Sequence, residues 1–259
     1  MLERLAEVLQ RAGELLLERR RSGRFTFRRD PGSVIASVDV EAHQNLVTAL
    51  TALTPEVPVL SEEDPAARAG ERPNEYWLID PLDGTASFVD GYEGFVTQAA
   101  LMRNRTAILA GVYAPALAQM FLAERGAGAV RDGVRLTVGT RASQEWTLTD
   151  NYPTPRGVAA ELMRDWNLTR YLECGSIGLK ICRIADASAD VFVKDVAVRD
   201  WDVAAPQLVL EEAGGYVSDA AGCAFAYAGG YEHRGLVACS SAAGAERVVD
   251  WLRRRRTHE

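Results

Sequence analysis

The sequence lacks several features, and each absence excludes a class of protein. No apolar run approaches the ~20 residues that a membrane-spanning helix needs, so a helical membrane protein is excluded. Basic residues are outnumbered, 29 Lys and Arg against 36 Asp and Glu, for a formal net charge of -7. A nucleic-acid polymer needs a basic face and is not expected as a partner. An acidic protein can still take a small anionic substrate if metal ions supply the local positive charge. The four cysteines, Cys174, Cys182, Cys223 and Cys239, match no zinc spacing. With no secretory signal in view they read as buried free thiols, and the expected location is cytoplasmic. There is no internal repeat and no low-complexity segment. At 259 residues the chain is one large domain or two modest ones.

The informative stretch is Tyr76-Trp77-Leu78-Ile79-Asp80-Pro81-Leu82-Asp83-Gly84-Thr85. Trp77 to Ile79 reads as a short buried strand, with a proline expected to stop it. Asp80 and Asp83 follow at its end. Gly84 permits a tight turn, and Thr85 can open a helix. Two acids and a row of helix-start N–H groups then face one space; hard divalent cations suit the acids and phosphate suits the amides.

The rest of the chain frames this stretch. Residues 2–20 place Leu2, Leu5, Val8, Leu9, Ala12, Leu15 and Leu16 on one helical face, and Gly23 ends that helix. Residues 24–37 read as a mobile or hairpin-like segment with a turn at Asp30-Pro31-Gly32. A second helix runs from Val38 to about Leu53; its His43 is read as structural or solvent-facing. A brief strand at Val59-Leu60 leads into Ser61-Glu62-Glu63. Strands are expected over 95–102, 107–113 and 118–123. Arg125-Gly126-Ala127-Gly128 looks like a glycine-rich phosphate loop, but the hairpin signal Asp132-Gly133 favours an antiparallel meander with these glycines in turns.

From about Thr140 the pattern becomes strand–helix alternation: strand 145–150, helix 156–166, strand 171–174, helix 177–185, strand 189–193 and helix 203–213, stopped by Gly214-Gly215. Pro206 is expected to cost that last helix an early backbone bond at most, and Asp202 is a candidate N-cap. Strands 216–218 and 235–239 and a helix from Ala242 follow, and Arg253 to Arg256 read as a solvated helix end. Two lobes are expected: 1–142, α+β with an antiparallel sheet and most of the candidate acids, and 143–259, α/β, supplying Asp202.

Together the run from Tyr76 to Thr85, Ser61-Glu62-Glu63 upstream and Trp201-Asp202 downstream resemble the inositol monophosphatase superfamily, magnesium-dependent and lithium-sensitive phosphomonoesterases. The resemblance covers most of the chain. It implies a layered α-β-α-β-α sandwich of the inositol monophosphatase / fructose-1,6-bisphosphatase type, homodimerisation as in the family, and a small phosphorylated substrate. It implies Glu62, Asp80, the Leu82 carbonyl, Asp83 and Asp202 as ligands of two or three Mg²⁺ ions. The all-oxygen donor set selects Mg²⁺ or Mn²⁺ over zinc, and carboxylates so gathered raise each other's pKa unless cations neutralise them. The implied mechanism is in-line attack by water activated at the metals. Thr85, bonded toward Glu62 or Asp39, orients and deprotonates that water, and the Gly84 and Thr85 amides hold phosphate oxygens. In the family a loop carrying a lysine and a Thr-x-x-Asp pattern closes over the metals. Here Arg28 and Arg29 stand near the lysine position, Ala36 replaces the threonine and Asp39 keeps the acid.

Within the superfamily, residues 178–185, 189–192 and 57–63 look most like the 3'(2'),5'-bisphosphate nucleotidases, which convert adenosine 3',5'-bisphosphate to AMP. In that reading Lys180 and Lys194 meet the second phosphate, and Ser176 caps its helix or touches the ligand. Against it, Ala86-Ser87 replaces a charged pair often found there, and Asp195 lies where inositol-phosphate members use an acid for sugar hydroxyls. Inositol-1-phosphate, fructose-1,6-bisphosphate and histidinol phosphate stay open. A relative that binds nucleotide or metal without catalysis is disfavoured by the intact set Glu62, Asp80, Asp83, Thr85 and Asp202.

Overall fold

Helix α1 (Leu2–Ser22) buries Leu5, Val8, Leu9, Ala12 and Leu16 along one stripe and ends on Gly23, whose φ of 64° is left-handed. The computed structural model describes residues 1–30, 33–151 and 153–256. Strands β1 (Phe27–Asp30) and β2 (Ser33–Ala36) pair antiparallel, so the hairpin-like reading of this segment holds. Of the expected turn at Asp30-Pro31-Gly32, Pro31 and Gly32 lie outside the described residues. Helix α2 (Ser37–Leu53) follows without a gap.

Next come β3 (Val59–Ser61), β4 (Glu75–Asp83), the short α3 (Thr85–Asp90), β5 (Val96–Arg103), β6 (Thr106–Ala114), β7 (Gln119–Glu124), β8 (Gly128–Arg131) and β9 (Val134–Arg135). Among the described residues these strands form a seven-stranded sheet in chain order, β3 parallel to β4 and the remaining neighbours antiparallel. The second half supplies β10 (Thr147–Asp150), α4 (Gly157–Asp165), β11 (Arg170–Glu173), α5 (Ile177–Ala185), β12 (Val191–Arg199), α6 (Asp200–Glu212), β13 (Tyr216–Ser218), β14 (Glu232–Cys239) and α7 (Ala242–Arg256). Its five-stranded sheet has the order β11-β10-β12-β14-β13. The first sheet ends with β9 at Arg135 and the second begins with β10 at Thr147.

Strand alternation decides the layering. On β4, Trp77 and Ile79 pack with Leu5, Leu9, Leu46 and Leu50 of α1 and α2. Tyr76 and Leu78 point the other way, into a cluster with Leu179, Ile181, Leu208 and Val209 of α5 and α6 that also takes Phe192 and Leu236 from the second sheet. The far face of that sheet packs Val193 and Val237 against Val158 and Leu162 of α4 and Val248 and Leu252 of α7. The resulting order, helices–sheet–helices–sheet–helices, is the sandwich that the resemblance implied.

Three local expectations are corrected. Pro81 does not stop β4; the strand runs on to Asp83 and absorbs the proline in a register shift against β5, where the ladder is already broken. Strand β12 continues past Val193 to Arg199 because β14 pairs with it on both sides of a bulge between Lys194 and Ala197. Helix α6 begins at Asp200 with Arg199 as N-cap, so Asp202 is the third helical residue and not the cap, and Pro206 sits inside the helix. The amides of Gly126 and Gly128 do hold an anion, but it is internal: Glu212 accepts from both at 2.8 Å.

Candidate active site

The acids at the end of β4 share a face only because of the register shift. Residues three apart on a regular strand point to opposite faces. Here Asp80 pairs with Gln98 and Asp83 with Val96, so β4 carries one extra residue and parity is restored. Asp80 Oδ1 accepts from Leu82 N at 3.0 Å, tying a loop around Pro81. Asp83 reaches the start of α5, where its carboxylate accepts from Gly178 N at 2.6 Å and from Ile177 N at 3.3 Å. That approach requires glycine: a Cβ on Gly178 would lie 2.3 Å from Gln98 Oε1 and 3.1 Å from Asp83 Oδ2. Gly84 then turns the chain with φ 91°, and a Cβ there would meet Ser176 Cβ at 3.1 Å. Thr85 opens α3, its hydroxyl donating to Leu82 O at 3.2 Å.

Asp39 and Asp202 arrive by one local device. Each is the third residue of a helix and accepts the backbone N–H of its N-cap, Ala36 N at 2.7 Å for Asp39 and Arg199 N at 2.7 Å for Asp202. This is half of a capping box, since neither Ala36 nor Arg199 offers a side-chain acceptor in return. Glu62 follows β3, and its carbonyl accepts from Arg68 Nη2 at 2.8 Å.

Like charge and burial set the electrostatics. Asp80 is pushed well above the usual carboxylate range, by burial first and then by Glu62, Asp83 and Asp202. Asp83 is raised by burial against the opposing pull of the Gly178 amide and Lys180. Asp202 is raised to about 7 by burial and then by Asp83. Asp39 is also raised to about 7, by burial first, with Glu63 adding to it and hydrogen bonds from Ala36 N and the Thr85 hydroxyl opposing. Glu62 is raised to about 8 by the protein packed around it and then by Asp202, Glu63, Asp83 and Asp39. The residue lies open to solvent at the rim, so water screens part of that effect.

Among the described residues no ion pair joins a Lys, Arg or His to Asp39, Glu62, Asp80, Asp83 or Asp202. Nor do any three His, Cys, Asp or Glu side chains already stand at ligating distance of one point. The donor chemistry still fits a hard divalent cation. Every group is oxygen, the aspartates are steadied by backbone N–H groups, and each carboxylate keeps lone pairs beyond those in use. Their mutual repulsion is what a cation would remove.

The expected substrate contacts divide. Lys180 and Lys194 line one cavity of about 210 Å³ together with Asn151 and Arg156, beside the acids. Lys180 is buried, donates to Asn151 Oδ1 at 2.5 Å and lies 5.1 Å over the Phe192 ring. Ser176 is spent on capping α5, accepting from Leu179 N at 3.0 Å. Asp195 lines the same cavity but pairs with Arg255 at 3.0 Å, so the C-terminal arginine run is not simply solvated.

Some residues carried no role at the site from sequence. Glu63 joins the acids electrostatically. His43 Nδ1 sits 2.9 Å from the buried Ser61 Oγ, which steadies the strand end before Glu62. Gln98, fully buried, donates to Trp201 O at 2.8 Å and so ties the start of α6 to the first sheet. A glutamine next to Thr97 at the start of a mostly apolar strand was the available signal.

The inositol monophosphatase family matches residues 1–255 of the chain. The 3'(2'),5'-bisphosphate nucleotidase CysQ of Aggregatibacter actinomycetemcomitans is 33% identical over 231 residues, covering 85% of this chain and 84% of that protein. A fructose-1,6-bisphosphatase/inositol-1-monophosphatase of Thermotoga maritima is 32% identical over 191 residues, covering 73% of this chain and 72% of that protein. Thermotoga maritima IMPase superposes with a TM-score of 0.84 at 25% identity, covering 98% of each chain. With the sandwich and the acids in place, the chain belongs to the inositol monophosphatase family of divalent-metal-dependent phosphatases.

Proposed function

We propose that the protein hydrolyses the 3'-phosphate of a 3'(2'),5'-bisphosphate nucleotide, adenosine 3',5'-bisphosphate giving AMP and phosphate. The observation that carries the hydrolase reading is a group of acids that, among the described residues, no cationic side chain pairs with. Asp80, Asp83, Asp202, Glu62 and the Leu82 carbonyl would hold Mg²⁺. When bound, the cation supplies Lewis-acid polarisation of the phosphoryl group and acidifies water. The chain's own residues do the rest. The Gly84 and Thr85 amides hold phosphate oxygens. Thr85, whose hydroxyl donates to Leu82 O and lies close enough to Asp39 to lower its carboxyl, orients the attacking water, and Glu62 or Asp39 takes its proton. A P–O bond forms to water as the ester P–O bond breaks, and the leaving oxygen takes a proton.

The bisphosphate reading is supported by the CysQ relative and by the cavity that unites Lys180, Lys194 and Arg156 beside the acids. A sugar monophosphate is the second reading, favoured by the Thermotoga maritima relative; Asp195 must then leave Arg255 to receive a hydroxyl. Phosphate release with Mg²⁺, with and without Li⁺, tests both on adenosine 3',5'-bisphosphate, inositol-1-phosphate, fructose-1,6-bisphosphate and histidinol phosphate. Fastest release from the nucleotide is expected. Faster release from a sugar phosphate overturns the substrate assignment, and release from none overturns the hydrolase reading.

A further inference from the structure

Glu62 and Asp202 come from opposite halves of the chain, and both are acids. Their charges push the loop after β3 and the start of α6 apart, so something must hold the two together. The loop of residues 62–74 carries two arginines that cross to α6. Arg68 donates through Nη2 to Glu62 O at 2.8 Å and through Nε to Asp64 O at 3.3 Å. Its guanidinium lies 4.6 Å over the Trp201 ring and 5.8 Å over Tyr231. One side chain therefore grips the backbone of Glu62 at one edge and, with its face, the neighbour of Asp202.

Arg72, further along the same loop, reaches Asp200. Nη1 stands 2.5 Å from Asp200 Oδ2 in a pair with side-chain exposures of 8% and 0%. Nη2 donates to Gly230 O at 2.9 Å, and the guanidinium stacks 3.8 Å over Tyr231. Asp200 is held further by His233 Nε2 at Oδ1 and by its own N–H to Tyr231 O at 2.9 Å. Tyr231 and Trp201 touch ring to ring at 5.8 Å. Among the described residues neither arginine makes an ion pair with Glu62 or Asp202, although Arg68 lies close enough to oppose the rise that burial gives the Glu63 carboxyl.

We infer that Arg68 and Arg72 are positioning residues that hold Glu62 against Asp202, so that carboxylates from both halves can serve one divalent cation. The inference rests on the metal reading of the site. Groups that orient metal ligands from behind set affinity as well as turnover, on the order of 10–100-fold per contact.

The test is Mn²⁺ binding to the full chain without substrate, by titration calorimetry, beside the melting temperature of the metal-free protein. Arg68→Met is expected to weaken Mn²⁺ binding about tenfold or more and to move the Mn²⁺ dependence of turnover by the same factor. The paired variant Arg72→Met/Asp200→Leu, which removes both members of the arginine–aspartate pair together, is expected to weaken binding likewise and keeps the test open if Arg72→Met alone does not fold. Arg68→Lys keeps the charge but loses the stacked plane, and should fall between parent and Arg68→Met. Melting temperatures that drop while Mn²⁺ affinity stays at the parent value in both Arg68→Met and the paired variant would assign a structural role only and overturn the inference. A parent protein that binds no Mn²⁺ would overturn the metal reading itself.

Discussion

Asp200 and Asp202 stand two residues apart at the start of α6, and the fold treats them oppositely. Asp200 is fully buried and faces Arg72 and His233. Asp202 is half-buried, holds one backbone N–H and faces other acids. The contrast extends through the molecule. Asp190, fully buried, has Arg141 at 3.1 Å and Thr147 N at 2.8 Å. Asp186 has Arg131 at 2.6 Å and Arg183 at 3.1 Å. Asp39, Asp80 and Asp83 are just as deeply placed, yet their hydrogen bonds come from backbone amides. A buried carboxylate with no counter-charge costs several kcal/mol and must take a proton or a cation. Acids with a guanidinium are neutralised within the fold; acids left only neutral donors are the ones proposed here to hold a cation.

The largest effect that would break this division is on turnover. Asp83→Asn should cut phosphate release ~10³-fold or more, the scale of losing a main electrostatic group; near-parent rates in a steady-state assay would refute the assignment. On the structural side, Asp200→Asn should lower stability by about 3–5 kcal/mol, because Arg72 is left buried and unpaired. Chemical unfolding reads it, and a loss below about 1 kcal/mol would erase the distinction. Asp202→Asn should do the reverse to the metal-free protein at pH 8, raising its melting temperature by removing a repelled charge while turnover collapses.

A pH series sharpens the comparison further. Asp39 and Asp202 are raised to about 7 and Glu62 to about 8, from ordinary values of 3.8 and 4.5. The folded protein keeps protons that the unfolded chain has released, so these groups cost nothing below the ordinary values. Stability then falls as pH rises, and the loss is complete above about 8. Metal-free melting temperatures should therefore drop from pH 5 to pH 8, less steeply in Asp202→Asn, and Mg²⁺ should reverse the drop at pH 8 because it favours the deprotonated acids. A flat or rising metal-free profile counts against the coupling. The smallest effect is at the internal anion site, where Glu212→Gln should cost about 1 kcal/mol and speed hydrogen exchange at the Gly126 and Gly128 amides.

Much of this site could be read before folding because its chemistry is contiguous. Asp80, Pro81, Leu82, Asp83, Gly84 and Thr85 are neighbours whose turn propensities and charges act over a few bonds, and helices α1, α2 and α5 announce themselves by apolar spacing. What Asp80 and Asp83 share was legible only in part: the acids were evident, but the extra residue that brings them to one face depends on pairing with β5. Gly126 and Gly128 show the limit from the other side, since the same glycine pattern would serve a phosphate were Glu212 not already there.

The sequence alone determined which acids stand beside the turn at Gly84, the amphipathic helices and the likeness to the family. These follow from periodicity, turn chemistry and short spacings, which act over a few bonds of the chain. Tertiary structure alone decided which acids have counter-charges. Arg72, Asp200 and His233 lie far apart along the chain, and neutralisation depends on distance in space, which only packing of the loop against α6 and β14 sets.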